Sequence, residues 1–224
     1  MVGSQGSPPR GGDDRLTSQA DPYARIAPWY DKFLNRVDGP VRATAFEMSA
    51  PTGTMRVLDV GCGTGTTLEQ YVDAGCHSYG VDASEAMLTQ ARKRLGGKAD
   101  LTFGNAEHLA FDDNTFDRVL ASLFLHELSD DVRSAVFSEV VRVTAPDGRI
   151  VITEFGSGDL TVRGRSIRSV SMVIERVAGR DHKRNCKSFL ASGGIPAEAG
   201  RHGLIIESSR HLGGGNMAVY VLRK

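Results

Sequence analysis

Three glycines at alternate positions, Gly61, Gly63 and Gly65, lie in VLDVGCGTGTTLEQ, directly after an apolar run. Glycine there permits positive φ and lets a ligand approach the backbone closely. A helix opening at the third glycine would add N–H groups without intrahelical partners and a partial positive charge. About twenty residues on, a second apolar run ends in Asp82, within GVDASEAML, the spacing at which an acidic residue meets a bound nucleotide. A carboxylate there can accept two hydrogen bonds from the hydroxyls of a ribose. Asp82 capping the helix that follows it, in an ordinary tight turn, is the purely structural alternative.

Two kinds of cofactor suit such a crevice. A dinucleotide carries a pyrophosphate and uses G-x-G-x-x-G, whereas this chain reads G-C-G-T-G-T, with Thr66 where the last fingerprint glycine belongs. Asp59, in the run before the loop, adds negative charge near the place of a pyrophosphate. A zwitterion with an amino group and a sulfonium tolerates that acid far better, which points to S-adenosylmethionine. A nicotinamide-dependent oxidoreductase and a non-catalytic binding protein of the same fold are the competing functions; the first also lacks a second nucleotide-binding half.

The elements that must position these residues alternate. The sequence predicts strands at Arg56–Val60, His77–Asp82, Asp100–Gly104, Phe116–Ala121 and Arg149–Phe155. Helices are expected over Gly65–Ala74, after the cap Ser84 as far as Gly96-Gly97, and after the cap Ser129. APDG reads as the turn into the last of these strands. GLIIESSRHL, GGGN and MAVYVLRK then read as an antiparallel hairpin. The fold class is therefore α/β: a Rossmann-like, doubly wound, mostly parallel sheet ending in an antiparallel pair. Upstream, Asp21-Pro22 and Gly39-Pro40 each open a helix, and residues 1–20 have the composition of a disordered tail.

VLDVGCGTG, GVDASEAML, GNAEHLAF, FDRVLASLFLHEL and APDGRIVITEF occur in that order between Arg56 and Phe155. In this the chain resembles the class I S-adenosylmethionine-dependent methyltransferases. It is most similar to small-molecule enzymes such as the ubiquinone/menaquinone C-methyltransferases and bacterial phospholipid N-methyltransferases, a likeness that YARIAPWYDKF strengthens. The resemblance implies seven strands, with one methyltransferase domain over 21–224. Within it, 21–50 would form a helical lid and 160–190 a helical insertion over the substrate side. It also implies that Asp59, Gly61, Cys62 and Gly63 form the methionine side of the site and that Asp82 binds the ribose. Ala83 and Met87 would lie near the adenine, Asn105 and Ala106 at its edge, and Ser122 beside the cofactor. Many relatives carry Asp where Asn105 stands; the amide oxygen can still accept from the adenine amino group. Tyr30 resembles a lid residue, and equally fits a core aromatic on an amphipathic helix.

The sulfonium is already activated, so the protein must hold an acceptor in line and exclude water. His126, in SLFLHEL, is the candidate catalytic base; a structural histidine bonding a loop carbonyl accounts for it as well. Glu127 carries the same ambiguity, and His182 in DHKRN is a further candidate whose placement the sequence leaves open.

Composition narrows the partners. Lys and Arg number 27 and Asp and Glu number 27, a balance unlike the basic surplus of nucleic-acid binders. No nucleic-acid partner is expected, and no His/Cys/carboxylate cluster has metal-ligand spacing in the sequence, so no metal is expected either. The three cysteines cannot all pair, which suits a reducing, cytoplasmic setting. The acceptor is expected to be a small organic molecule: a quinol-like ring, a lipid amine or another metabolite. VRGRSIRSVSMVIERVAGRDHKRNCK is rich in Arg and Lys, with Ile167, Val170, Ile174 and Val177 at helical spacing. It reads as a solvated helix over the sheet edge, or as a lid making peripheral contact with anionic lipid.

Overall fold

The structure, a computed structural model, describes residues 39–169 and 180–224. The expected tail 1–20, most of the expected lid 21–50 and Tyr30 lie outside the described residues, as do Val170, Ile174 and Val177 of the apolar stripe. Helix α1 (39–49) opens at Gly39-Pro40 and buries Val41 and Ala45. There follow β1 (Arg56–Val60), α2 (Thr66–Asp73), β2 (His77–Asp82), α3 (Glu85–Leu95), β3 (Ala99–Phe103) and β4 (Phe116–Ser122). After a 3-10 turn (Leu125–Glu127) come α4 (Asp130–Val143) and β5 (Thr144–Phe155). Beyond these lie α5 (162–169), α6 (Arg180–Ala191), α7 (Gly194–Arg201), β6 (Ile205–Leu212) and β7 (Met217–Arg223).

The seven strands form one sheet in the order β3-β2-β1-β4-β5-β7-β6. β1 to β5 pair in parallel, and β7 runs antiparallel to both β5 and β6. The doubly wound sheet with its antiparallel C-terminal pair is thus as the alternation of elements predicts. Successive residues feed opposite cores, as a sheet covered on both faces requires. Leu58 and Val60 of β1 pack with Phe137 of α4 and Ile195 of α7. Val57, Leu120 and Val151 pack on the other face with Leu68, Tyr71 and Val41.

Local signals account for the boundaries near the site. Met87 N–H donates to Ser84 Oγ at 3.1 Å, and Gly96 ends α3 with φ 57°, the left-handed cap that glycine supplies cheaply. Ser129 occupies the N-cap of α4, but its side chain makes no capping bond.

Two elements differ from expectation. APDG is not a free turn: Phe116 pairs with Thr144 and Arg118 with Arg149, so residues 145–148 form a bulge inside β5. A Cβ on Gly148 would sit 2.8 Å from Thr144 Cγ2 and 2.9 Å from the Phe116 carbonyl oxygen, so only glycine closes it. Helix α7 has two glycines and a proline and no helical signature in sequence; its packing carries it. Ile195 and Ala199 are buried, and Glu198 receives Arg133 Nε at 2.8 Å. Tertiary contact here overrides weak propensity.

The fully buried Arg133 also donates to the carbonyls of Leu125 and Leu128, at 3.3 and 3.0 Å, and pairs with Asp130. It therefore ties α4 and α7 to the turn that carries His126. Replacing Arg133 with Met should lower unfolding free energy by about 3 kcal/mol in urea titration, the scale for stranding one half of a buried ion pair. The exposed-side Arg142→Met should lose clearly less.

Candidate active site

β1 lies where the strand order reverses, with β2 on one side and β4 on the other, the crevice at which open α/β sheets bind ligands. Beyond β1 the chain turns through Gly61, Gly63 and Gly65, with φ of 68°, 53° and 77°. Asp82, ending β2, holds that turn. One carboxylate oxygen accepts the Gly63 N–H at 2.7 Å and the other the Ser84 N–H at 2.8 Å. Gly104 N–H reaches the Asp82 carbonyl at 3.1 Å, which brings the loop after β3 alongside.

Within the loop, the amides of Gly61, Cys62, Gly63 and Gly65 point inward. Gly61 and Cys62 N–H both donate to the Val81 carbonyl, at 2.8 and 3.1 Å, and Gly65 N–H donates to Cys62 at 2.9 Å. A pyrophosphate would find these donors engaged. A Cβ on Gly63 would meet nothing within 4 Å, so there is open room above it. A Cβ on Gly61 would come within 2.9 Å of the Phe124 ring. Cys62 is buried, and its sulfur packs under Gly80, where an added Cβ would lie 2.9 Å away.

Asp59 is 1% exposed, and its Oδ1 has no hydrogen-bond partner among the described residues. Burial, reinforced by the charge of Asp82, pushes its carboxyl up to about 8. A cationic group placed beside that orphaned oxygen would favour the charged form of the acid and so pair with it. The donor set therefore fits S-adenosylmethionine: acceptors for an amino group at Asp59 and at the loop carbonyls, and a carboxylate for a ribose at Asp82.

The remaining expected residues fall into two groups. Ala83 is exposed beside Asp82, Met87 is buried on α3, and Ala106 is half-buried. Asn105 is folded onto its own loop: Oδ1 accepts Glu107 N–H at 3.0 Å, and Nδ2 donates to Glu107 Oε2 at 2.9 Å. One lone pair of that oxygen is thereby engaged. Ser122 ends β4 across β1 from Asp82, and Leu123 after it takes φ 58°, a left-handed conformation that branched residues rarely hold outside functional sites.

His126 stands beyond β4, 3% exposed. Its Nδ1 lies 2.7 Å from Glu154 Oε1, and Glu154 also accepts the backbone N–H of His126 at 3.1 Å and of Phe155 at 2.8 Å. With both oxygens taking donors, the imidazole carries its proton on Nδ1 and its lone pair on Nε2. Sequence reasoning did not single out Glu154. Its signal was a lone acid in the apolar run RIVITEF, since an unpaired carboxylate is almost never fully buried. His182 of α6 comes within 3.5 Å of Glu127, and its ring centre lies 5.7 Å from that of His126. Asn185 Nδ2 donates to the Glu127 carbonyl at 2.7 Å and seats α6 on the turn. Arg168, one of the basic residues of the segment that follows β5, turns inward, donating to Asn216 Oδ1 at 2.5 Å and to the Gly156 carbonyl at 2.7 Å.

Residues 57–148 match the family described as "Methyltransferase domain". The matched residues run from β1 to the bulge of β5, the part that builds the glycine loop, Asp82 and His126. The chain is 37% identical over 110 residues to a demethylmenaquinone methyltransferase of Clavibacter sepedonicus, covering 48% of this chain and 44% of that protein. It is 34% identical over 160 residues to a ubiquinone/menaquinone biosynthesis C-methyltransferase of Geobacter sulfurreducens, covering 64% and 61%. The chain thus spans about half the length of the curated relatives it matches. In fold it is similar to an S-adenosylmethionine-dependent methyltransferase from Aquifex aeolicus, with a TM-score of 0.60 at 19% identity, over 92% of this chain and 100% of the other. Among the described residues no helix is long and apolar enough to cross a membrane.

The Asp59 carboxyl ionises near 3.8 when unfolded and near 8 in the fold. Between those values the folded state holds a proton that the unfolded chain has released, so stability falls as pH rises. Asp59→Asn should abolish that decline, about 1.4 kcal/mol per pH unit at its steepest. Urea unfolding of the ligand-free protein from about pH 5 to about pH 8 measures it; parallel pH profiles for the two proteins would refute the assignment.

Proposed function

We propose that this chain is an S-adenosylmethionine-dependent methyltransferase acting on a small organic acceptor. The observation that carries the reading is the buried, unpartnered Asp59 beside a glycine loop whose own N–H groups are engaged. That combination favours a ligand with a cationic amino group and disfavours a pyrophosphate. Bound there, S-adenosylmethionine supplies a methyl group already activated on a cationic sulfur.

The chain's residues then have separable tasks. Asp82 accepts the ribose hydroxyls through lone pairs that Gly63 and Ser84 do not use, while those two amides keep its plane fixed. Asp59 and the carbonyls around Gly61 and Gly63 hold the amino acid end. Ala83, Met87, Asn105 and Ala106 surround the adenine, and Ser122 flanks the sulfur side. His126 prepares the acceptor. Glu154 fixes its ring, leaving the Nε2 lone pair as the end that takes a proton or a Lewis acid.

A quinol-like ring or a lipid amine is the acceptor class we favour, and the named activities of the similar quinone-pathway methyltransferases support it. In the same reading 21–50, with Tyr30, closes over the cofactor and 160–190 covers the acceptor. The basic residues of that segment meet anionic lipid peripherally, and the protein works in the cytoplasm.

Calorimetric titration with S-adenosylmethionine and with a nicotinamide dinucleotide tests the core of the proposal. Binding of the first alone is expected, and binding of the second alone would overturn it. Labelled cofactor with a metabolite extract then identifies the methylated product by mass spectrometry; tight binding with no product would favour a non-catalytic role.

Asp82→Ala should weaken cofactor affinity by about 1.5–3 kcal/mol, the range for hydrogen bonds to a charged group. An unchanged dissociation constant would remove the ribose role. His126→Ala should lower kcat by about 10²–10⁴-fold while leaving the cofactor dissociation constant within error, and equal loss in both would argue for a merely structural histidine.

A further inference from the structure

The acceptor side of the crevice brings together more than a histidine and its orienting acid. Ligand atoms of His126, Glu127 and His182 all lie within 4.8 Å of one another, and His182 Nε2 is already 3.5 Å from Glu127 Oε1. Ligands bound at about 2.0–2.1 Å around a tetrahedral ion stand roughly 3.3 Å apart. Closing the remaining gap calls for rotamer adjustment in the two partly exposed side chains, Glu127 and His182. The buried member, His126, is the one already locked, and it is locked by a carboxylate on Nδ1. A carboxylate on the far nitrogen is the outer partner that metal-bound histidines almost always have.

Resting on the methyltransferase reading, we propose that His126, Glu127 and His182 bind one divalent first-row transition ion, of the zinc class, through two imidazoles and one carboxylate. Glu154 is the positioning residue that aims His126. Two nitrogens and one oxygen favour such an ion over magnesium or calcium, which prefer all-oxygen sites. Three protein ligands leave at least one position open, as in catalytic rather than structural zinc sites.

The open position suits a hydroxyl oxygen of the acceptor, such as a phenol, hydroquinone or enol. On the ion that O–H bond breaks with its electron pair remaining on oxygen and the proton passing to water. The substrate class narrows accordingly to acceptors with an ionisable hydroxyl at or next to the methylated atom. A simple lipid amine does not need the ion.

Neither sequence spacing nor the glycine loop hints at this site, because His126 and Glu127 come from the turn after β4 and His182 from α6. Asn185, holding the Glu127 carbonyl from the same helix, keeps the two segments in register.

The test uses the full chain, freed of metal by dialysis against a chelator and titrated with Co²⁺ alone. Visible d–d absorption is followed, and Zn²⁺ then competes. One equivalent is expected, with affinity falling at least about tenfold in Glu127→Gln and in His182→Ala, and about 10–100-fold in Glu154→Gln. Glu127 and His182 are partly exposed, so both variants should fold; circular dichroism checks this. No cobalt spectrum, or an unchanged spectrum and affinity in the Glu127→Gln/His182→Ala double variant, would overturn the proposal. S-adenosylmethionine titrated into the metal-free protein separates the two readings. Intact cofactor binding without cobalt binding sinks the ion alone, whereas absent cofactor binding sinks the methyltransferase reading beneath it.

Discussion

The crevice depends on one carboxylate. Asp82 takes the Gly63 amide with one oxygen and the Ser84 amide with the other, so a single side chain sets the distance between the loop after β1 and the loop after β2. The left-handed turn through Gly61, Gly63 and Gly65 is conformationally expensive to order, and hydrogen bonds to a charged acceptor are the stronger kind. Through this clamp the crevice is preorganised, and on the proposed function a nucleoside would meet a carboxylate whose plane is already fixed.

With that carboxylate in place, the polarity of the surroundings decides what can bind. The loop's amides turn inward to Val81 and Asp82, and the buried Asp59 adds a second acceptor next to the first. Such a wall attracts hydrogen-bond donors and positive charge. The same glycine spacing with outward amides and no acid would attract phosphate. Discrimination between two adenosine-containing cofactors thus rests on where N–H groups point, a property of the turn more than of its composition.

The parts legible in sequence are those whose causes are local. Alternating apolar runs marked the parallel strands, Ser84 and Gly96 marked both ends of α3, and GGGN marked the closing hairpin. Non-local causes were not legible. APDG carries every sign of a turn, yet pairing of Thr144 with Phe116 draws it into β5 as a bulge. α7 owes its existence to Ile195, Ala199 and the Arg133–Glu198 pair, whose partners lie on a distant helix. His126 was visible as a candidate, but the Glu154 that orients it and the His182 that approaches it arrive from other elements. Inward orientation of the loop amides was equally hidden, since the glycines specify permission to turn and not its direction.

The contact between Phe124 and Gly61 joins the two halves of the crevice. An aromatic ring from the segment leading to His126 occupies the volume that any side chain at 61 would need. On the proposed function, the half assigned to the cofactor and the half assigned to the acceptor are consequently not free to drift apart over generations. A chain that acquires a larger residue at 61 must first shrink the ring at 124, and in doing so it disturbs the footing of the buried histidine.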